Sequence, residues 1–314
     1  MSFSVVIPLY NKAPYIERAI NSILNQTLQE FEIIVVNDGS TDNGREIVEA
    51  MLDPRIRLIN QANQGVSVAR NRGIHEATYE LIAFLDADDE WLRSYLAEIQ
   101  TLIRNFPDCG AYAVGVKTIR PNGEIFLPNL SKLPAEPWIG IILNFFELFQ
   151  DAISAFIPSS VVIPKRVLQE VDGFPVGIKL LEDIYCWVNI AIRYPIAFNP
   201  KRLVVYHQDA SNRSNVHKNI DEEPFISVIK EAIKKGIISR ELQVEAEEFI
   251  SQRQIGTAVA NVMEGKPSYA RKLLASCRQT RKYKKRWLWW RFWASLPAGC
   301  PRKILGIKQS ILGG

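Results

Sequence analysis

Short apolar runs alternate with longer amphipathic ones through the first ninety residues. Residues 3–8 (FSVVIP) read as a strand, and over 11–25 the apolar positions Ile16, Ala19, Ile20, Ile23 and Leu24 recur at helical spacing. The pair repeats as a strand over 31–36 with a helix over 42–52, then a strand over 56–59 with a helix over 66–76. A fourth strand covers 81–85. Strands alternating with helices of about ten residues predict an α/β fold, a mostly parallel sheet with helices on both faces joined by right-handed crossovers. In such open sheets ligands gather outside the carboxyl ends of the strands.

Further along, Pro121-Asn122-Gly123-Glu124 has the composition of a hairpin turn. A helix is expected over 137–150 with Ile141, Ile142, Phe145, Phe146 and Phe149, its phenylalanines either facing lipid or forming a buried helix face. A fresh strand covers 203–206. From Glu222 the alternation stops, and helices around 225–235, 240–252 and 269–277 predict a helical appendage. The expected division is an α/β domain over 1–217, with halves of about 1–115 and 116–217, and a helical region over 218–314.

Composition changes this picture in one place. With 47% hydrophobic and 23% charged residues the 314-residue chain is of ordinary globular type, but its net charge of +4 is unevenly spread. Residues 265–314 hold thirteen Lys or Arg and no Asp or Glu, while 1–264 carry twenty-five basic against thirty-four acidic residues. Within that tail, Arg278 to Trp293 sets basic residues beside Trp287, Trp289, Trp290 and Trp293. This is the chemistry of an interfacial segment on anionic lipid, over about 278–314; a packed helix with a solvated face is the plainer alternative. A nucleic-acid partner is disfavoured by the acidic body. No window approaches the roughly 18 apolar residues of a spanning helix, and no basic n-region with an apolar core opens the chain. The four cysteines show no metal-finger or disulfide spacing. The expected location is therefore cytoplasmic, peripheral on the cytoplasmic face of the membrane.

Candidate chemistry falls at the strand ends. The fourth strand runs into Asp86-Ala87-Asp88-Asp89. In an extended chain alternate side chains share a side, so Asp86 and Asp88 point at one small volume and Asp89 points away. Paired carboxylates suit Mg²⁺ or Mn²⁺ bridging to phosphates; alternatively they cap the next helix. After the second strand comes Asn37-Asp38-Gly39-Ser40-Thr41-Asp42. Gly39 suits a tight turn and Ser40, Thr41 or Asp42 a helix cap, whereas Asp38 is not needed for either and is able to accept an N–H from a nucleobase, with Tyr10 offering a ring face. In Asn63 to Gly73, a helix beginning after Gly65 carries Arg70, Asn71 and Arg72 near its middle; its N-terminus and Arg70 both suit a diphosphate, while a solvated helix face is the plainer alternative, above all for Arg72.

Four stretches in register, Ser4-Val5-Val6-Ile7-Pro8-Leu9-Tyr10-Asn11, Val36 to Asp42, Asn63 to Gly73 and Phe84 to Asp89, closely resemble the family-2 inverting glycosyltransferases of the GT-A fold. The similarity continues more weakly to about residue 215. The resemblance implies a nucleoside-diphosphate sugar donor, usually a UDP-sugar, and transfer of a hexosyl or N-acetylhexosaminyl group to a glycan or lipid-linked glycan in cell-surface polysaccharide synthesis. Carried onto matching positions, it implies that Asp38 binds the base and that Pro8, Tyr10, Asn11 and Arg70 frame the nucleotide. Asp86 and Ala87 would lie near the ribose, and Asp86 and Asp88 at a Mn²⁺ or Mg²⁺ ion. It further implies that Glu182 and Asp183, after Gly173-Phe174, form the acceptor-side acidic pair with Asp183 as base. Pro175-Val176 departs from the acidic residues many relatives have there. His207 as a third metal ligand and Arg213 as a diphosphate clamp complete the expected site. Two other readings remain open at the sequence level. One is a sugar nucleotidyltransferase, disfavoured because no Gly-rich, Lys-bearing loop follows the first strand; the other is a non-catalytic nucleotide-sugar or membrane-binding subunit.

Overall fold

The computed structural model describes residues 1–134, 137–152, 155–210 and 221–297. The chain divides into two compact units, 1–215 and 216–314.

In the first unit the expected alternation is present. Strand β1 (Phe3–Leu9) leads to helix α1 (Ala13–Leu24), β2 (Phe31–Asp38) to α2 (Gly44–Glu49), β3 (Ile56–Gln61) to α3 (Val66–Glu76), and β4 (Leu81–Phe84) follows. Helix α1 buries Ile16, Ala19, Ile20 and Ile23, one face of a 3.6-residue period. β1 lies between β2 and β4 and is parallel to both. Because β1 and β2 are covered on both faces, nearly every side chain in them is buried. Helix α3 packs tightly on this sheet through Gly73: a Cβ there would stand 2.2 Å from Val6 Cγ1, so no larger residue fits without moving the helix.

The rest of the unit completes a mixed sheet. Short β5 (Glu90–Trp91) precedes α4 (Tyr95–Asn105), β6 (Ala111–Ile119) and β7 (Ile125–Phe126). Then follow β8 (Gly140–Ile141), α5 (Phe145–Ala152), β9 (Val161–Pro164), α6 (Lys165–Glu170), α7 (Glu182–Ala191) and β10 (Ile196–His207). The strand order is β3-β2-β1-β4-β9-β6-β10-β5, with β7 on β6 and β8 on β10. β9 runs against both β4 and β6, so the sheet is mostly, not wholly, parallel. The turn at 121–124 joins β6 to β7 as an antiparallel hairpin, with Gly123 at φ 79°.

One expected element is half its predicted length. The helix foreseen over 137–150 begins only at Phe145, because Gly140 and Ile141 pair with Phe198 and Ala197 at the sheet edge instead. Phe145, Phe146 and Phe149 are buried, and Phe145 stacks on Phe149 at 3.9 Å. They form the buried helix face and do not face lipid.

The second unit consists of α8 (Pro224–Lys234), α9 (Arg240–Met263), α10 (Pro267–Ser276) and α11 (Lys284–Ser295). Ile255, Ala258 and Val262 of α9 pack with Leu273, Leu274, Trp287 and Trp293. Trp287 donates its indole N–H to the carbonyl of Leu274 at 2.7 Å. Buried Glu248 accepts hydrogen bonds from Thr280 Oγ1 and Arg281 N, both at 2.6 Å, fixing the approach to α11. Among the described residues no helix is long and apolar enough to cross a membrane.

Candidate active site

A cleft of about 760 Å³ opens where β1, β2 and β4 end. Pro8, Tyr10 and Lys12 line it from the first loop, Asp38 from β2, Gln64 to Ser67 and Arg70 from the entry of α3, Asp86 to Asp88 from the turn after β4, and Glu182 and Asp183 from the start of α7. Thus nine of the residues singled out in the sequence, Pro8, Tyr10, Asp38, Arg70, Asp86, Ala87, Asp88, Glu182 and Asp183, share one hollow. Arg213 lies outside the described residues.

Two of the expected site residues sit elsewhere. Asn11, at φ 52°, spends its Oδ1 on Thr41 N at 2.8 Å and on Thr41 Oγ1 at 3.2 Å, so it ties the first loop to the second and does not face the cleft. His207 is buried, with Nε2 3.1 Å from Glu90 Oε1 and Nδ1 3.3 Å from Asp209 Oδ1. It is outside the cleft lining, because β10 carries alternate residues to opposite sides and presents Tyr206 to the cleft instead.

Asp38 is 3% exposed and is held firmly. Its Oδ1 accepts from Gln61 Nε2 (2.8 Å) and Gln64 N (2.9 Å), and its Oδ2 from Gly65 N (2.8 Å). The carboxylate therefore shapes the 61–65 loop as well as facing the cleft. Tyr10, which lines the same cleft, is 47% exposed, its ring available for stacking. Asp42 does not merely cap the helix that follows it. Oδ2 accepts from Ala13 N at 2.8 Å at the start of α1, and Oδ1 from Gly44 N at 3.1 Å at the start of α2.

The acidic turn is built differently from the extended geometry expected. β4 stops at Phe84, and residues 86–89 form a tight turn closed by Asp89 N on Asp86 O at 3.0 Å. Asp86 and Asp88 face the cleft, while Asp89 is fully buried on the other side. Ser159 Oγ donates to Asp89 Oδ2 at 2.6 Å and accepts from Asp86 N at 3.1 Å, and His207 N donates to Asp89 Oδ1 at 3.2 Å. Burial first, and then the neighbouring Asp86 and Asp88 charges, push the Asp89 carboxyl well above its ordinary value.

The carboxylates facing the cleft already meet protein cations. Lys12 Nζ is 2.6 Å from Asp88 Oδ2, and Arg70 Nη2 is 2.8 Å from Asp86 Oδ1. Arg70 is 3% exposed; its Nη1 reaches Glu182 Oε1 at 2.9 Å, and its guanidinium lies 5.1 Å from the Phe174 ring centre. Burial alone would lower the Arg70 pKa, but Asp86 and Glu182 outweigh it and the pKa is raised. Lys12 was not foreseen as a site residue. Lys12 directly follows the Pro8-Leu9-Tyr10-Asn11 stretch, which is the one local signal for it.

Whether these groups suit a divalent ion is decided by the donor set. Two hard carboxylates on one turn match what Mg²⁺ or Mn²⁺ takes from a protein when phosphates and water supply the remainder. Among the described residues no three His, Cys, Asp or Glu side chains form a cage, so a protein-only site is not present. The fit is to an ion shared with a phosphate-bearing ligand. Ser67, at the first turn of α3, offers a further group: its buried hydroxyl lines the cleft and has no hydrogen-bond partner among the described residues.

Asp183 follows Leu181, a non-glycine residue at φ 64° that turns the chain into α7. Burial is the main cause, with the adjacent Glu182 charge next, that lifts its pKa to about 7, against the lowering effect of Arg70. A carboxylate poised there takes a proton near neutral pH.

Residues 4–170 match the family described as Glycosyl transferase family 2. An uncharacterised glycosyltransferase, YibD of Escherichia coli (strain K12), is 52% identical over 89 residues, 28% of this chain and 26% of YibD. An uncharacterised glycosyltransferase of Rickettsia bellii is 26% identical over 251 residues, 76% of this chain and 33% of that protein. The chain thus spans well under half the length of these curated relatives. Among solved structures, S. aureus TarS 1–349 in complex with UDP-GlcNAc shares the fold at a TM-score of 0.62 and 20% identity, covering 91% of this chain and 92% of that one.

Proposed function

Because the chain belongs to glycosyl transferase family 2, and is a glycosyltransferase of GT-A fold, we propose that it moves a sugar with inversion from a UDP-sugar to a hydroxyl of a glycan or lipid-linked glycan, with Mn²⁺ or Mg²⁺. The observation that carries this reading is the convergence of Asp38, Asp86, Asp88 and Asp183 on one cleft of about 760 Å³. The UDP-GlcNAc bound by TarS supports a uridine nucleotide and an N-acetylhexosaminyl group among the candidates. Residues of about 1–115 then form the donor half and 116–217 the acceptor half.

In this mechanism Asp38 accepts an N–H of the base and Tyr10 stacks on it, beside Pro8. Asp86 and Asp88 would hold the ion, which would supply positive charge to neutralise the departing diphosphate. Lys12, displaced from Asp88, and the Ser67 hydroxyl are donors within reach of the same cleft for phosphate or sugar oxygens. Arg70 keeps Asp86 and Glu182 in place and lends its field to the cleft. Asp183 removes the acceptor hydroxyl proton as that oxygen bonds to the anomeric carbon, while the bond to the diphosphate breaks on the opposite face. The cell-surface polysaccharide role and attachment of the tail to the cytoplasmic face of the membrane complete the proposal.

The test is a panel of nucleotide sugars and glycan acceptors assayed for nucleoside diphosphate release, with Mn²⁺ and with chelator. A UDP-sugar is expected to be consumed in a metal- and acceptor-dependent way. Failure of every nucleotide sugar to bind by calorimetry would overturn the proposal.

A further inference from the structure

The tail sequence carries a cluster of tryptophans, and the fold sorts them. Trp287 and Trp293 are 4% and 7% exposed and belong to the core of the second unit. Leu288, Trp289 and Phe292 are 53%, 55% and 57% exposed. Positions i, i+1 and i+4 share one side of a helix, so α11 turns a leucine, an indole and a phenyl ring outward together. Their backing is firm: Trp289 meets Trp293 edge-on at 5.8 Å and Phe292 meets Trp293 at 5.6 Å.

The charged residues of α11 are all basic. Lys284, Lys285, Arg286 and Arg291 are exposed, and among the described residues none of them meets a carboxylate. Lys284 and Arg291 lie over the Trp287 ring at 4.4 and 5.0 Å, which holds their charges at one border of the patch. A second copy of this surface would bring like charges together. The remaining tail, 298–314, is also basic and without a single acidic residue, so it too is repelled. An anionic lipid surface satisfies both features at once, taking the apolar side chains at its acyl boundary and the basic ones among its headgroups.

We infer that α11 is an interfacial anchor that lies along an anionic bilayer and inserts Leu288, Trp289 and Phe292, while Trp287 and Trp293 stay in the protein core. This rests on the peripheral attachment proposed above and names the surface that performs it. Lys285, between Leu288 and Trp289 around the helix, reaches outward to the headgroups with its stem on the patch.

The full chain is mixed with vesicles of phosphatidylcholine alone or with phosphatidylglycerol, and sedimentation is followed. The unaltered protein is expected to bind the anionic vesicles about tenfold more tightly than the neutral ones, as a few headgroup contacts imply. Trp289→Ser/Phe292→Ser should weaken anionic binding about tenfold or more, while the helical circular-dichroism spectrum and cooperative melting are kept and loss of the ring contacts with Trp293 lowers the melting temperature only slightly. Lys285→Glu/Arg286→Glu should remove the preference for anionic lipid. If the parent binds and the Trp289/Phe292 variant binds equally, the patch is overturned while peripheral attachment stands. If the parent ignores both vesicles, or if the patch instead supports a dimer seen by ultracentrifugation, the lipid anchor is overturned with no bearing on sugar transfer, which is assayed separately.

Discussion

Asn71 holds both backbone polar groups of Phe174: its Oδ1 accepts from Phe174 N at 2.9 Å and its Nδ2 donates to Phe174 O at 2.7 Å. The clamp joins α3 to the loop before α7 and sets the Phe174 ring against Arg70. Its two bonds to an otherwise unpaired backbone predict that Asn71→Ala loses about 2 kcal/mol of stability, measured by urea titration. A loss under half that size would show that the loop holds its place without the clamp.

Arg70 stands between Asp86 and Glu182 with almost no exposure. Removing it leaves two partly exposed carboxylates without their cation, so Arg70→Met is expected to cost about 1–3 kcal/mol and to raise the pH at which Asp183 ionises. Thermal denaturation and the pH profile of transfer check the two halves of this prediction.

Asp183 is predicted to give the transfer rate an ionisation near pH 7, with activity rising as pH increases and the base loses its proton. The sign for stability is opposite. A carboxyl whose folded pKa lies above its unfolded one favours the fold most below the unfolded value of about 4, and this contribution is lost as pH rises to about 7. Asp183→Asn should therefore flatten the melting temperature between pH 4 and 7 relative to the parent, lower turnover by about 10²–10⁴, and leave UDP-sugar binding by calorimetry nearly intact. Equal turnover in parent and variant would remove the base assignment.

Lys12 holds Asp88 Oδ2 at 2.6 Å, so under the proposed metal role it would compete with the ion for that carboxylate. Lys12→Ala is expected to bind Mn²⁺ more tightly in the absence of nucleotide, read by paramagnetic resonance, and Asp88→Asn to bind it more weakly. Unchanged Mn²⁺ affinity in both variants would place the ion elsewhere.

What the sequence disclosed follows from range. β1 to β4 and their helices were legible because each is a local period of two or 3.6, and the strand ends carried Asp38, Asp86 and Asp88 with them. Asp89 was rightly set apart, although a turn and not an extended strand separates it. The contacts that assemble the cleft were not legible. Asn71 and Phe174 are 103 residues apart, as are Arg70 and Glu182 by 112, and no local pattern announces such a pair. His207 looked available because its loop is polar, yet Glu90 and the buried Asp89 carboxylate, which accepts from its backbone N–H, draw it inward. The 137–150 helix failed at its first half because edge pairing with β10 satisfied the backbone of Gly140 and Ile141 better than a helix turn would.

Asp42 places one carboxylate at the start of two helices, reaching Ala13 N and Gly44 N. The loops after the first two strands therefore cannot drift apart: a substitution that shifts either one drags its neighbour, and any lineage that reshapes this end of the pocket must remodel both together.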